Sequence, residues 1–551
     1  MSIITRAAEA GSGALRRPRV GSAGGGVPVS AGAPAGAGTL TKIVATIGPA
    51  SESEEMVGRL IEAGVSVFRF NFSHGDLETH GRRLATVRAV SARLGLAVAC
   101  LGDLQGPKIR VGKVPGGGVM VEAGQDVVFR GGLGEAFVET KSGGVGAAGG
   151  VGVVVLPFTY ERMVEEVEAG QRVLVNDGAI RMLAVERDVG RGELRCRVMV
   201  GGLVTSGKGI NLPESAISAP AVTERDWEHA RWAVERGFDF LALSFVRRAE
   251  DVTELKGRMS GWVPADPVAD PRGEAGWVPV IAKIERPQAL EDIERIVEVS
   301  DGIMVARGDL GVEMDIARVP VAQKRIVSAC GRWGKPCIVA TQMLETMIES
   351  VVPTRAEASD VANAIFDGAD AVMLSAETAT GRHPALVVET MRRIASEAEA
   401  VGGEFPGRQG PPARVSAAHA TIAALAHGAW HVAKDVGARA IVVWSEGGGT
   451  ARYLSQNGFR VPIVAYTTSD RAARRMALLG GVTAVCARPP ASGSIHEWRA
   501  GADAWLVSRG VCAEGDPVLV LAGKPLGEPR AVNTLMVHRV GRRDDRETTG
   551  V

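Results

Sequence analysis

The residues best suited to chemistry stand at the ends of short apolar runs. Arg69, Asn71 and Ser73 are spaced i, i+2 and i+4, so an extended chain carries all three on one face. Lys283 with Glu285 repeats the pattern, as do Arg307 with Asp309 and Ser375 with Glu377, while Asp103 and Thr341 close two further runs. A lone carboxylate or lysine in such a place is ordinarily a solvated charge or a structural ion pair. Six runs that end alike imply a shared purpose. Glu285 and Asp309 offer the hard oxygens that Mg²⁺ (or Mn²⁺) takes when substrate oxygens and water complete its octahedron. No histidine or cysteine belongs to the set, as a zinc centre would require. Arg69 and Lys283 add positive charge of the kind that stabilises a phosphoryl group in transit. The segment Ala306-Arg307-Gly308-Asp309-Leu310-Gly311 adds backbone N–H groups at a strand-to-helix corner, an anion-binding arrangement. Phosphoryl transfer is the chemistry that uses all of these together.

Side chains so far apart in sequence meet only if the chain brings every run end to one place. The runs read as strands over Lys42 to Gly48, Val65 to Phe72, Val98 to Leu104, Phe240 to Val246, Val278 to Glu285, Gly302 to Asp309, Pro336 to Gln342 and Ala371 to Glu377. Eight strands alternating with helical segments are the count of a TIM (β/α)8 barrel, whose active site collects at the C-terminal strand ends. The expected fold is therefore α/β, with the barrel over 40–112 and 220–386. Residues 113–219 interrupt it with alternating segments such as Gln171 to Arg187 and Glu193 to Leu203, which read as an inserted small β domain. Strands at Ala438 to Ser445, Val461 to Thr467, Val482 to Ala487, Pro517 to Gly523 and Thr534 to Val540 make 387–541 a separate C-terminal α/β domain. Residues 1–39, rich in Gly, Ala, Ser and Pro, read as a disordered tail, 542–551 as a second tail, and Trp262 to Gly276 as a surface loop.

Composition narrows the partners. Lys and Arg number 63, as do Asp and Glu, so no global charge draws the chain to nucleic acid or to anionic lipid. Aromatic residues are 4% of the sequence, too few for a base-stacking platform. The six cysteines form no CxxC pair, which fits a reducing compartment, and a cytoplasmic protein is expected. Stretches without Asp, Glu, Lys or Arg near 20–41, 142–160 and 415–433 are Gly-rich or Ala-rich with histidines, poor material for a lipid-facing helix, so no membrane span is expected.

The chain resembles the pyruvate kinase family over residues 41–540. The resemblance rests on TKIVATIGPAS (41–51), FRFNFSHG (68–75), DLQGPKIR (103–110), GKGINLP (207–213), IAKIER (281–286), GIMVARGDLG (302–311), TQMLETM (341–347), PTRAEASDVANAIFDGADAVMLSAETA (353–379) and NTLMVHRV (533–540). It implies transfer of a phosphoryl group from phosphoenolpyruvate to ADP, with Lys283 and Arg69 on the phosphoryl group and Glu285 and Asp309 holding Mg²⁺. Gly308, Asp309 and Thr341 would hold the substrate carboxylate, and Thr341, Ser375 and Glu377 would serve enolpyruvate protonation. Pro49, His74, Arg110 and Lys208 match the nucleotide side. The 113–219 insertion resembles the family's small β-barrel lid, and a homotetramer is implied. An oxoacid lyase on a similar barrel would need no ADP pocket.

Two departures matter. Asn71, Ser73, Asp103 and the Leu104 carbonyl match the family's K⁺ ligands, yet Lys108 stands where K⁺-dependent members carry Glu, with Leu104, Gln105 and Val111 also changed. Lys108 is expected to set its ammonium near Asp103 and replace the ion, making K⁺ unnecessary. In the C-terminal domain, Ser445-Glu446-Gly447-Gly448-Gly449-Thr450 occupies the loop where regulated relatives hold an effector phosphate. Its glycines suit a phosphorylated effector, but Glu446 repels one and the loop lacks a basic residue.

Overall fold

Eight parallel strands, Lys42–Thr46, Val65–Asn71, Ala99–Asp103, Phe240–Leu243, Val280–Ile284, Gly302–Ala306, Cys337–Ala340 and Ala371–Leu374, pair in sequence order and close through the first and last. The computed structural model describes residues 39–140, 145–146, 152–262, 278–401, 412–415, 419–523, 526 and 532–542. The N-terminal tail, the surface loop and the C-terminal tail expected from the sequence lie almost wholly outside the described residues.

All eight expected strands are present, but several end earlier than the sequence implied. The strand of Gly302 stops at Ala306, and a helix, Arg307–Glu313, starts at once. The strand of Ala371 stops at Leu374, followed by the helical turn Ala376–Ala379. Arg307 with Asp309, and Ser375 with Glu377, are therefore corner and helix residues, not partners on one strand face. Each strand ends with its last apolar residue, and the corner begins where polar side chains were still read as strand.

Local sequence sets the surrounding helices. Thr223 and Asp226 form a reciprocal capping box that starts Glu224–Glu235, and Thr354 with Glu357 does the same for Arg355–Phe366. Val44, Val67, Leu101, Ile281, Met304, Ile338 and Met373 fill the barrel interior. Ala477 and Leu478 of the C-terminal domain join that cluster, which seats this domain on the N-terminal end of the barrel and leaves the opposite rim open.

The insertion forms an eight-stranded, mostly antiparallel sheet and a separate two-stranded one over a single apolar core. Among the described residues its strands do not close through hydrogen bonds, unlike the barrel expected for it. The C-terminal domain carries five strands in the order Val482–Cys486, Ile463–Thr467, Ala440–Trp444, Pro517–Gly523 and Val532–Arg539, the last pair antiparallel. Its helix Ala420–Val436 covers most of the uncharged stretch at 415–433, and no helix among the described residues is long and apolar enough to cross a membrane.

Candidate active site

Barrel register assembles the rim. Thr46 pairs with Arg69 and Asn71 with Asp103 across neighbouring strands, and Lys283 lies on the next strand but one from Asp103. Arg69 Nε meets Asp103 Oδ2 at 2.6 Å, and its Nη1 donates to Thr46 Oγ1 at 3.1 Å. Lys283 Nζ stands 2.8 Å from Glu285 Oε1 and 3.2 Å from Asp103 Oδ1, and donates to Ser244 Oγ at 2.7 Å. The other Glu285 oxygen accepts from the Phe245 N–H at 2.7 Å. These groups open on a cavity of about 480 Å³ between barrel and insertion. Asn71, Ser73, His74, Leu104, Lys108, Arg110, Lys208 and Asp309 line it too.

Five cationic side chains and four carboxylates face this space, so an anionic substrate that brings a cation with it is matched in charge. Burial works against both members of the central pair. It opposes the charge on Lys283, but the Asp103 and Glu285 carboxylates outweigh it and hold the ammonium protonated above its usual range. Asp103, also buried, is held below the usual carboxylate range by Lys283 and Arg69. Glu285 goes the other way: burial first, and then the Asp309 charge, push it up despite Lys283. Glu285 and Asp309 line the same cavity, and their carboxylate oxygens are donors that fit a divalent cation. Among the described residues no set of three or more His, Cys, Asp or Glu forms a metal cage.

Thr341 sits beside this centre, its hydroxyl accepting from the Gly308 N–H at 2.7 Å and donating to the Ala340 carbonyl at 2.6 Å. Arg307 turns away from the cleft: it binds the Thr341 and Gln342 carbonyls and pairs with Asp360 at 2.6 Å. Glu377 is buried and clamps backbone, accepting from Ser375 N at 2.6 Å and Leu344 N at 3.3 Å, while Ser375 Oγ is buried without a hydrogen bond. Neither lines the cavity, nor does Pro49, exposed in the turn after the first strand.

Lys108 does not go where the sequence placed it. Its ammonium lies 4.0 Å from Asp177 of the insertion, and the charge on Asp103 is met by Arg69 and Lys283 instead. Several working residues carried no sequence signal. Ser244 orients Lys283 and donates to the Leu104 carbonyl at 2.7 Å. Asn211 donates to Glu313 at 2.8 Å, joining insertion to barrel. Among the described residues, the non-glycine positions at positive φ are Asn176, Asp177, Phe245, Thr341 and Gln342; the first three line the cavity, and the last two form the corner beside Gly308 that Arg307 braces. Such strain gathers where surrounding structure overrides local preference for function. Only Asn176-Asp177-Gly178, a turn-forming triplet, was readable as such.

Fold and cleft together define a barrel phosphotransferase with an inserted domain over its active site. Profiles described as "Pyruvate kinase, barrel domain" and "Pyruvate kinase, alpha/beta domain" match residues 39–388 and 423–538. The chain is 39% identical over 508 residues to a pyruvate kinase of Staphylococcus aureus (strain MRSA252), covering 91% of this chain and 80% of that one. A pyruvate kinase of Staphylococcus epidermidis (strain ATCC 12228 / FDA PCI 1200) is 37% identical over 510 residues, with the same coverage. The crystal structure of a pyruvate kinase from Cryptosporidium parvum superposes with a TM-score of 0.78 at 30% identity, over 92% of this chain and 97% of that one. The chain belongs to the pyruvate kinase family.

Proposed function

We propose that the chain moves the phosphoryl group of phosphoenolpyruvate to ADP, yielding pyruvate and ATP at the close of glycolysis. The observation that carries this is the buried Lys283, charged between Asp103 and Glu285 and facing a cationic cavity. Lys283 and Arg69 stabilise charge on the phosphoryl group as it leaves the enol oxygen. Glu285 and Asp309 would hold Mg²⁺ (or Mn²⁺), which would supply positive charge to the phosphoryl group in transit. The Gly308 and Asp309 N–H groups and Thr341 receive the substrate carboxylate, which takes over the Gly308 N–H now bonded to Thr341. Thr341 then positions the water that protonates the enolpyruvate carbon, with Ser375 beside it and Glu377 fixing the Ser375 backbone.

ADP lies against His74, Arg110 and Lys208, with Pro49 at the outer edge, and the insertion acts as a lid whose closure expels water. K⁺ is not required. Three residues of the K⁺-type set are already engaged by protein groups: Asn71 Oδ1 accepts from the Ser73 N–H, the Leu104 carbonyl accepts from Ser244, and the Asp103 carboxylate is ion-paired with Arg69 and Lys283. A phosphorylated effector is proposed at the 445–450 loop. Arg452 and Arg475, from outside the loop, line the same cavity and supply the positive charge the loop lacks. The Glu446 carboxylate is engaged by Trp444 Nε1 at 3.0 Å and by Thr468. Homotetrameric assembly and a cytoplasmic location complete the proposal, the first open to light scattering. The direct test is pyruvate release from phosphoenolpyruvate with and without ADP; release independent of ADP would mark a lyase or phosphatase and overturn the assignment.

A further inference from the structure

The helix Ala420–Val436 of the C-terminal domain buries Ala423, Ala426, Ala429 and Ala433 and turns a second face away from its core. His427 and His431 stand one turn apart on that helix, far from the barrel rim in the fold. Their rings lie at 83° with centroids 4.7 Å apart, and the two Nε2 atoms face one another at 3.2 Å. Two neutral imidazoles hold that geometry by sharing one proton; a metal ion holds it with both lone pairs. With metal–nitrogen bonds of about 2.0–2.1 Å, nitrogens 3.2 Å apart subtend about 100° at the ion. That angle lies between the square-planar and tetrahedral values, which suits Cu²⁺, Ni²⁺ and Zn²⁺, the ions imidazole prefers.

The second observation concerns the other nitrogen of His427. Nδ1 is buried and has no hydrogen-bond partner, so no donor to it fixes the ring proton on Nε2. The proton can reside on Nδ1 and leave Nε2 as a ligand. Lys434 does not neutralise the site, because its ammonium lies 5.1 Å over the Trp430 ring. Asp435, exposed and four residues after His431, continues the same helix face with a negative charge. His431 is itself exposed, which leaves the remaining coordination positions open to water.

We propose that His427 and His431 form a two-histidine site for a late first-row divalent cation, separate from the catalytic Mg²⁺ site. The site acts as a clip on the helix, binding the folded domain and so raising its melting temperature. The full chain is titrated with Zn²⁺ by calorimetry under excess Mg²⁺, which occupies the carboxylate site. Wild type is expected to bind one Zn²⁺ that both His431→Gln and His427→Gln lack or bind about tenfold or more weakly. Turnover of phosphoenolpyruvate with ADP stays at the wild-type level in both, which shows that they fold. Cu²⁺ electron paramagnetic resonance gives an independent readout, with two nitrogen ligands in wild type and one in each variant. Zn²⁺ uptake unchanged by either substitution, or a copper spectrum with the same nitrogen count in all three proteins, overturns the proposal.

Discussion

Replacing Lys283 with methionine separates catalysis from folding. The ammonium stands 2.8 Å from Glu285, 3.2 Å from Asp103 and 2.7 Å from Ser244, all buried. Deleting one partner of a buried ion pair costs about 3–5 kcal/mol when the other is stranded. Here neither carboxylate is stranded. Asp103 keeps Arg69 at 2.6 Å, while Glu285 keeps the Phe245 N–H at 2.7 Å and, already held above its usual range, takes up a proton readily. The expected loss of stability is accordingly about 1–3 kcal/mol, so the fold remains. The transition state has no such substitute. Loss of a preorganised charge at the transferring phosphoryl group should raise the barrier by about 3–4 kcal/mol, or about 10²–10³ in turnover. The assay is a coupled measurement of pyruvate at saturating phosphoenolpyruvate, ADP and Mg²⁺, beside a thermal melt. Proton exchange into pyruvate, followed in parallel, should fall more in Thr341→Ala than in Lys283→Met. A Lys283→Met enzyme that melts near wild type and turns over at a similar rate would refute the role assigned to this residue.

Three further outcomes follow from the same geometry. Wild type should keep substantial turnover when K⁺ is replaced by tetramethylammonium at constant ionic strength, and so should Lys108→Glu, which sets a second carboxylate near Asp177 and not beside Asp103; near-complete loss in wild type, restored by K⁺, would show that K⁺ is needed. Gly106→Ala adds a Cβ 2.7 Å from the Phe245 ring at φ +69, so it should lose about 2–3 kcal/mol and much of its activity, while Gly95→Ala, at φ +64 with open space, shows strain alone, about 1 kcal/mol; equal melts in the two would dismiss the Phe245 contact. Burial lowers the Lys42 ammonium to about 8 against an ordinary 10.5, so the unfolded chain binds more protons between those values and stability rises with pH across that window. Urea midpoints of wild type relative to Lys42→Met should climb from pH 8 to 10, and parallel curves would exclude the effect.

How much of this was legible in the sequence depends on how local each signal is. All eight barrel strands could be read, because a buried parallel strand is a continuous apolar run and its neighbours in space are its neighbours in sequence order. The five strands of the C-terminal domain were readable as short β-rich runs, but not their order, because Ala440–Trp444 lies beside Pro517–Gly523 and the last strand is antiparallel. Strand ends were not. Arg307, Asp309, Ser375 and Glu377 kept the alternation of a strand on paper, yet the chain turned into a helix at Arg307 and at Ala376. Two of the four then serve as scaffolding: Arg307 braces the Thr341 corner, and Glu377 holds the backbone of Ser375 and Leu344. A charged residue at a rim can face the cavity or the corner beneath it, and spacing alone does not distinguish these.

Contacts between insertion and barrel were beyond reach for a different reason. Asn211 with Glu313, and Arg247 with the Ala219 carbonyl, join elements that the sequence shows only as separate pieces. Lys108 illustrates the consequence. Judged from sequence, its charge belonged beside Asp103, because Lys108 stands where K⁺-dependent relatives carry Glu and its long stem could reach that far. The barrel had already supplied Asp103 with cations from two other strands, Arg69 and Lys283, so an additional ammonium there would meet repulsion from both. Asp177, held at φ +52 in the tight turn of the insertion, offers an unmatched carboxylate across the cleft, and Lys108 lies toward it. The residue that seemed to replace an ion within the barrel is thus a charge contact between barrel and insertion, and the potassium question passes from Lys108 to the two cations that already hold Asp103.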